Sequence, residues 1–236
     1  MMKLKNSEKV SVIFLRLGML FAACLIAANI FETKEIVVGS LTLTGGLLIF
    51  PLTYVICRIV CEVWGFQWAS LIIWMGFILN FLFLVVAAIV DVIPGVASAD
   101  VLNQGFHAIF GLAPRITVAS CIAFLAGSFV SAYVMSRRKQ RGEKSRLAGR
   151  LAMSSVLGEA ADSLLFFPIA LLGTTSVKEM FVQMAFQFVL KTAYEIILIP
   201  VVVPAIRQLK KYEGVEDKEQ DTNHSIFDVF RRGVQQ

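Results

Sequence analysis

Glu159 and Asp162 stand three residues apart in LGEAADSLLFFP, Leu157 to Pro168, within one of the most apolar parts of the chain. On a helix that spacing is about 300° of rotation, so the two carboxylates share a face, about 60° apart. A pair of acids so placed can do general acid–base work, or it can accept several donors from one ligand. Ser154, Ser155, Gly158 and Ser163 complete a small, polar set. Small residues allow close helix contact, and polar ones can face a cavity. The structural alternative is a cytoplasmic helix start, where acids sit well near the positive end of the dipole. That accounts for Glu159 better than for Asp162, which lies deeper.

Two further clusters have the same character. Gln183, Gln187, Lys191 and Glu195 recur every four residues. Their directions drift by about 40° per step, which still leaves one polar stripe. A charge inside a membrane span costs about 2.5–3.5 kcal/mol on insertion scales, so Lys191 should meet an acid: Glu195, or Glu159 and Asp162 from a neighbouring segment. In GGLLIFPLTYVICRIVCEVWG, Arg58 and Glu62 have the i, i+4 spacing of a helical ion pair, or both snorkel to water at a span end. Gly45, Gly46 and Pro51 precede them and read as an interruption of the helix, of the kind that lines cavities in transporters. Asn29 and Asn80 read as helix-to-helix hydrogen bonds.

The elements that must position these residues follow from composition. Of 236 residues, 57% are hydrophobic and 17% charged, with a mean hydropathy of +0.75. Soluble domains carry about 25% charged residues. The chain therefore reads as all-α, an integral membrane bundle of six transmembrane helices. The apolar runs are 11–31, 38–57, 69–92, 116–136, 154–174 and 182–205. Lipid demands that backbone groups be paired within each span, which disfavours sheet. The N-terminal run lacks a small-x-small cleavage site and reads as a retained span. The four cysteines, Cys24, Cys57, Cys61 and Cys121, all lie in apolar segments and read as packing residues. Neither a cofactor nor a metal set is expected.

Basic residues orient the bundle. Lys3, Lys5 and Lys9 precede the first span, and Arg137, Arg138, Lys139, Arg141, Lys144, Arg146 and Arg150 crowd the linker after the fourth. Arg207, Lys210 and Lys211 follow the last span. The positive-inside rule then predicts both termini in the cytoplasm, which an even number of crossings allows. The formal net charge of +5 thus belongs to membrane flanks, not to a nucleic-acid surface. The expected organisation is a transporter unit over 1–210 and a polar cytoplasmic tail over 211–236. Within VLNQGFHAIFGL an amphipathic segment carries His107, and in the tail Ile226, Phe227 and Phe230 beside Arg231 and Arg232 suit a membrane surface.

The blocks FPLTYVICRIVCEVWG, WMGFILN, PRITVASCIAFLAGSFVSAYV and SSVLGEAADSLLFFPIALLG resemble, in order, the queuosine precursor transporters, also called the vitamin uptake transporter family. The resemblance runs from about Asn29 to Lys191. It implies a six-span protein of the bacterial inner membrane that imports 7-deazaguanine bases for tRNA queuosine salvage: 7-cyano-7-deazaguanine, 7-aminomethyl-7-deazaguanine or queuine. It further implies roles for Asn29, Pro51, Glu62, Asn80, Arg115, Glu159, Asp162 and Lys191. Taken with the residue reading, the expected substrate-binding set is Asn29, Glu62, Asn80, Glu159, Asp162, Lys191 and Glu195, with Arg58 and Arg115 as candidate gating or ion-pair residues. The chain departs from the family pattern at Arg58, where an acid is usual, and at Ser128, where an amide is usual.

The chemistry of the residues fits such a ligand. A guanine-type base offers two adjacent donors, its ring N1–H and exocyclic amine, and a carboxylate accepts both. An aminomethyl group adds a cation that a second acid can neutralise, and Tyr54, Phe166 or Phe167 can stack on the ring. Substrate is expected among the first, second, fifth and sixth spans. The alternatives are a substrate-binding membrane subunit of a multi-component vitamin or purine importer, an intramembrane enzyme using the acid pair, and a scaffold. No nucleotide-binding motif is present and no nucleophile–base pair accompanies the acids, so enzymatic action is not expected. Partners are the 7-deazapurine and the bilayer, with homo-oligomerisation open.

Overall fold

A computed structural model describes residues 11–38, 41–110, 114–140, 147–171, 173 and 176–214. Lys3, Lys5, Lys9, Arg141, Lys144, Arg146 and the tail residues from Ile226 to Arg232 lie outside the described residues. So does the side chain of Arg115, in the first turn of its helix.

The described chain is overwhelmingly helical: α1 (Val12–Glu32), α2 (Phe50–Val63), α3 (Phe66–Val92), α4 (Asp100–Phe110), α5 (Pro114–Gln140), α6 (Leu147–Leu171) and α7 (Val177–Glu213). Six helical segments are long and apolar enough to cross a membrane: α1, the Gly45–Val63 segment ending in α2, α3, α5, α6 and α7. Five of the six expected spans coincide with helices within several residues.

The second span is the exception. The helix expected over 38–57 occupies Gly45–Val63 instead, as a short 3₁₀ helix (Gly45–Leu48) running into α2. Ahead of it, β1 (Glu35–Val38) and β2 (Leu41–Thr44) pair antiparallel, with Val38 opposite Leu41. The β-branched run Ile36, Val37, Val38 and the alternation Leu41, Thr42, Leu43, Thr44 favour a pleated hairpin over a helix. Pro51 therefore does not break a helix. It lies in the first turn of α2, where its missing N–H costs nothing.

Alternating helix directions put all span ends on two faces. One face carries the hairpin and α4. On the other, here the terminal face, Ser11 Oγ donates to Glu213 Oε1 at 2.5 Å, joining the start of α1 to the end of α7. Gly65, at φ 99°, turns α2 directly into α3 in a conformation that suits glycine. α4 is the expected amphipathic segment; it has no buried residue, and its His107 Nδ1 lies 2.7 Å from Asp91 Oδ2 at the end of α3.

α2 is the axis of the bundle. It packs on α1, α3, α5 and α7, and every residue from Phe50 to Val63 except Leu52 is buried. Its polar residues Tyr54, Arg58 and Glu62 recur every four positions and so form a stripe along one side. Around it, Phe21, Leu25, Phe66, Ile73, Phe124 and Met135 fill the core.

α5 and α6 share the most extensive contact of any two helices, and glycine makes it possible. A Cβ on Gly158 would meet Ser131 Cβ at 2.8 Å and Gly127 O at 3.2 Å; one on Gly127 would meet Gly158 O at 2.9 Å. Close backbone approach of this kind is the membrane-helix use of small residues. Gly158→Val is expected to lower stability by about 1–3 kcal/mol through overpacking. Thermal unfolding in detergent measures this, with Gly149→Val, where nothing lies within 4 Å, as the control that stays near wild type.

Candidate functional site

Three helices, α2, α6 and α7, bring charged side chains to the middle of the bundle, and α5 adds a serine hydroxyl. Asp162 on α6 receives Lys191 of α7, with Nζ 3.1 Å from Oδ2, and the Tyr54 hydroxyl of α2, 3.3 Å from Oδ1. Lys191 also lies over the Phe50 ring, 4.7 Å from its centroid, a cation–π contact that suits a desolvated ammonium. Arg58 of α2 pairs with Glu195 of α7, Nη1 to Oε2 at 2.7 Å. Its Nε donates to Ser131 Oγ of α5 at 2.8 Å, and its guanidinium stands over Tyr54, 5.6 Å from the ring centroid.

Glu159 is the outlier. It is 0% exposed, and neither of its carboxylate oxygens has a hydrogen-bond partner among the described residues. Lys191, Glu195, Asp162 and Arg58 all act on it electrostatically. Arg58 Nη2, the hydroxyls of Ser128, Ser163 and Thr192, and the Glu195 carboxylate oxygens are also buried without a hydrogen-bond partner among the described residues, although Glu195 Oε2 has its ion pair with Arg58. Buried polar groups in proteins are nearly always satisfied. A cluster that leaves both Glu159 oxygens, Glu195 Oε1 and one guanidinium nitrogen open is therefore suited to receiving a polar ligand.

Of the residues singled out from the sequence, Glu159, Asp162, Lys191, Glu195 and Arg58 converge here. The i, i+4 pair of Arg58 with Glu62 does not form, and neither residue snorkels to water. Arg58 turns to Glu195, whereas Glu62 lies nearer the terminal face. There its Oε1 accepts from Arg150 Nη2 of α6 at 2.7 Å and Lys210 Nζ of α7 at 2.6 Å. Lys191 chooses Asp162 over Glu195, because Glu195 is already held by Arg58.

Asn29 and Asn80 form the expected helix-to-helix bond, Nδ2 to Oδ1 at 3.1 Å. Ser120 Oγ of α5 adds a bond to Asn29 Oδ1 at 3.0 Å, and Asn80 Nδ2 reaches Cys121 Sγ at 3.5 Å. This amide node ties α1, α3 and α5 apart from the charges. The charged centre is thus built chiefly from the second, fourth, fifth and sixth spans, and the first span approaches it through Glu32 at the end of α1. Gln183 is exposed and Gln187 half-buried, so only the inner half of the α7 stripe belongs to the centre.

Sequence reasoning missed Phe50, Phe124, Glu32 and Ser131, whereas it singled out Phe166 and Phe167. Phe50 and Phe124 wall the site beside Tyr54, with centroids 5.9 Å (Phe50–Tyr54) and 6.2 Å (Tyr54–Phe124) apart. The four-residue spacing of Phe50, Tyr54 and Arg58 was the available signal. Phe167 is buried and meets Phe166 edge-on at 5.3 Å. Glu32, at the end of α1, accepts from Thr44 Oγ1 at 2.9 Å and interacts electrostatically with Lys191. Ser131 carries no sequence signal beyond its place in a small-residue run.

A bundle of membrane-length helices that buries paired and unpaired charges at its centre has the build of a membrane transport protein, since ionisable groups at that depth mark substrate or ion paths. The family model described as "Putative vitamin uptake transporter" matches residues 44–205, well over half of the chain, and the chain belongs to that family. The matched stretch includes every residue of the charged centre. Among curated proteins the chain is similar to the "Probable queuosine precursor transporter" of Bacillus subtilis (strain 168). The two are 27% identical over 150 residues, 63% of this chain and 65% of that relative. No solved structure matches the chain.

Proposed function

We propose that the protein imports queuosine precursors, 7-deazaguanine bases, across the bacterial inner membrane for tRNA queuosine salvage. The observation that carries this reading is Glu159: a fully buried carboxylate with both oxygens open, in a transporter of this family. Its two acceptors match the ring N1–H and exocyclic amine of a guanine-type base. Asp162 and Lys191 hold the wall beside it, and Phe50, Tyr54 and Phe124 offer apolar faces to a flat ring. The name of the Bacillus relative supports the same substrate class.

In this reading the six-span unit covers about residues 1–210, α7 continues to Glu213, and the polar sequence of 211–236 is a cytoplasmic tail beyond the last crossing. The terminal face, which carries Arg137, Arg138, Arg150, Arg207, Lys210 and Lys211, is cytoplasmic by the positive-inside rule.

The test is complementation. In a strain lacking its own precursor uptake and synthesis, the wild-type protein restores queuosine in tRNA from supplied 7-cyano-7-deazaguanine. Glu159→Gln and Asp162→Asn, inserted at normal levels, are expected to lower initial uptake by at least tenfold. Unchanged uptake in both variants removes the site assignment. Uptake by the purified protein alone in liposomes separates a self-sufficient transporter from a subunit of a larger importer.

A further inference from the structure

Arg58 is fixed in place by two of its three nitrogens. Nε donates to Ser131 Oγ on α5 at 2.8 Å, and Nη1 lies 2.7 Å from Glu195 Oε2 on α7. The planar guanidinium is thus held from two helices, with its Cζ over the Tyr54 ring. Arg58 is 2% exposed. Nη2, the third nitrogen, is buried and has no hydrogen-bond partner among the described residues. A donor left open on a guanidinium that is otherwise locked costs free energy unless something accepts from it. Three helices supply the parts that hold it, while Glu159 on α6 supplies two open acceptors in the same centre, besides Glu195 Oε1 on α7.

We propose that Arg58 is a specificity-determining residue that donates from Nη2 to the carbonyl oxygen of the substrate ring. This rests on reading Glu159 as the acceptor for the base's N1–H and amino group. On a 2-amino-6-oxo ring those two donors and the carbonyl lie side by side. The protein then presents acceptor, acceptor and donor to donor, donor and acceptor. A carboxylate alone does not read the carbonyl, because it has nothing to donate. Arginine supplies what an acid at this position cannot, and Ser131 and Glu195 serve to hold its plane. Sites built to hydrogen-bond a group reject analogues that lack it far more strongly than apolar pockets reject a change of shape.

Two analogues of 7-deazaguanine separate the roles. In 6-thio-7-deazaguanine the ring N1–H and amine are kept, and a weak acceptor replaces the carbonyl oxygen. In 7-deazahypoxanthine the carbonyl and N1–H are kept and the amine is absent. Binding of all three to the purified protein is measured by calorimetry in detergent, for wild type and Arg58→Lys. Lysine keeps the charge for Glu195 but lacks the fork.

In the wild type the thio analogue is expected to bind about 10- to 100-fold more weakly than 7-deazaguanine, as for a lost hydrogen bond to a charged donor. In Arg58→Lys that ratio falls severalfold, whereas the ratio for 7-deazahypoxanthine stays as in the wild type. Equal binding of the thio analogue and 7-deazaguanine by the wild type overturns the proposal, without need of any variant. So does an unchanged thio ratio in a folded Arg58→Lys protein, which assigns the loss to sulfur's size. If the wild type binds 7-deazaguanine but discriminates no analogue, the Arg58 inference fails and transport of the base stands. If it does not bind 7-deazaguanine at all, the reading beneath it fails too.

Discussion

Lys191→Met is expected to cost about 3–5 kcal/mol of stability, the range for removing one partner of a buried ion pair. The reason is what it leaves behind. Asp162 is buried, and Lys191 is its only cationic partner among the described residues. The Tyr54 hydroxyl, at 3.3 Å, is a long and neutral donor that does not replace an ammonium. The loss is also expected to be rescued. Combining Lys191→Met with Asp162→Asn removes both charges, and replacing a buried pair by neutral groups is often harmless to folding. Thermal unfolding of the two purified variants beside the wild type should therefore show Lys191→Met strongly destabilised and the double variant close to wild type. Uptake should separate from stability, because the double variant no longer has the charges that line the substrate site. A double variant as unstable as the single one would mean that Lys191 contributes chiefly through Phe50 and not through Asp162.

The second large effect is on the other pair. Arg58→Met is expected to cost a similar amount, about 3–5 kcal/mol. It strands Glu195, whose side chain is fully buried, and removes the donor to Ser131. A loss of that size is a large share of the total stability of an ordinary protein. Arg58→Lys should retain part of it, because the ammonium can face Glu195 but cannot also hold Ser131 in one plane. Glu195→Gln should fall between the two, leaving a cation that still has a polar neighbour. The measurement is again the unfolding midpoint in detergent, ordered as wild type, Arg58→Lys, then Arg58→Met. If Arg58→Met unfolds like the wild type, the pair is not a structural tie between α2 and α7.

These two pairs show how far the chain could be read in one dimension. Membrane class, span number and most span limits were legible, because lipid imposes a simple rule: about 20 apolar residues with their backbone paired internally. The amphipathic α4 was legible for a similar reason. The second span was misplaced because Val37 to Leu43 are as apolar as a helix but prefer a pleated backbone, and hydropathy does not distinguish the two. The residues that matter were legible as types, since a charge in an apolar run is conspicuous whatever its partner. Glu159, Asp162, Lys191, Glu195 and Arg58 were all visible in this way.

Their pairing was only partly visible. Spacing along α2 joins Arg58 to Glu62, whereas Lys191 had Glu195 on its own helix or Glu159 and Asp162 on a neighbour as candidates. The tertiary structure undoes the first and selects Asp162 for Lys191, because helices that cross at close quarters offer better-placed partners than a helix offers itself. The close approach of α5 and α6 at Gly127 and Gly158 and the burial of α2 among four helices decide who meets whom. They send Arg58 and Lys191 to different acids and Glu62 to Arg150 and Lys210. The sequence by itself determined that this protein spans a membrane and carries charge inside it. Only the packing decided that Glu159 is left with both oxygens open and no ion pair, because the cations near it are claimed by Asp162 and Glu195.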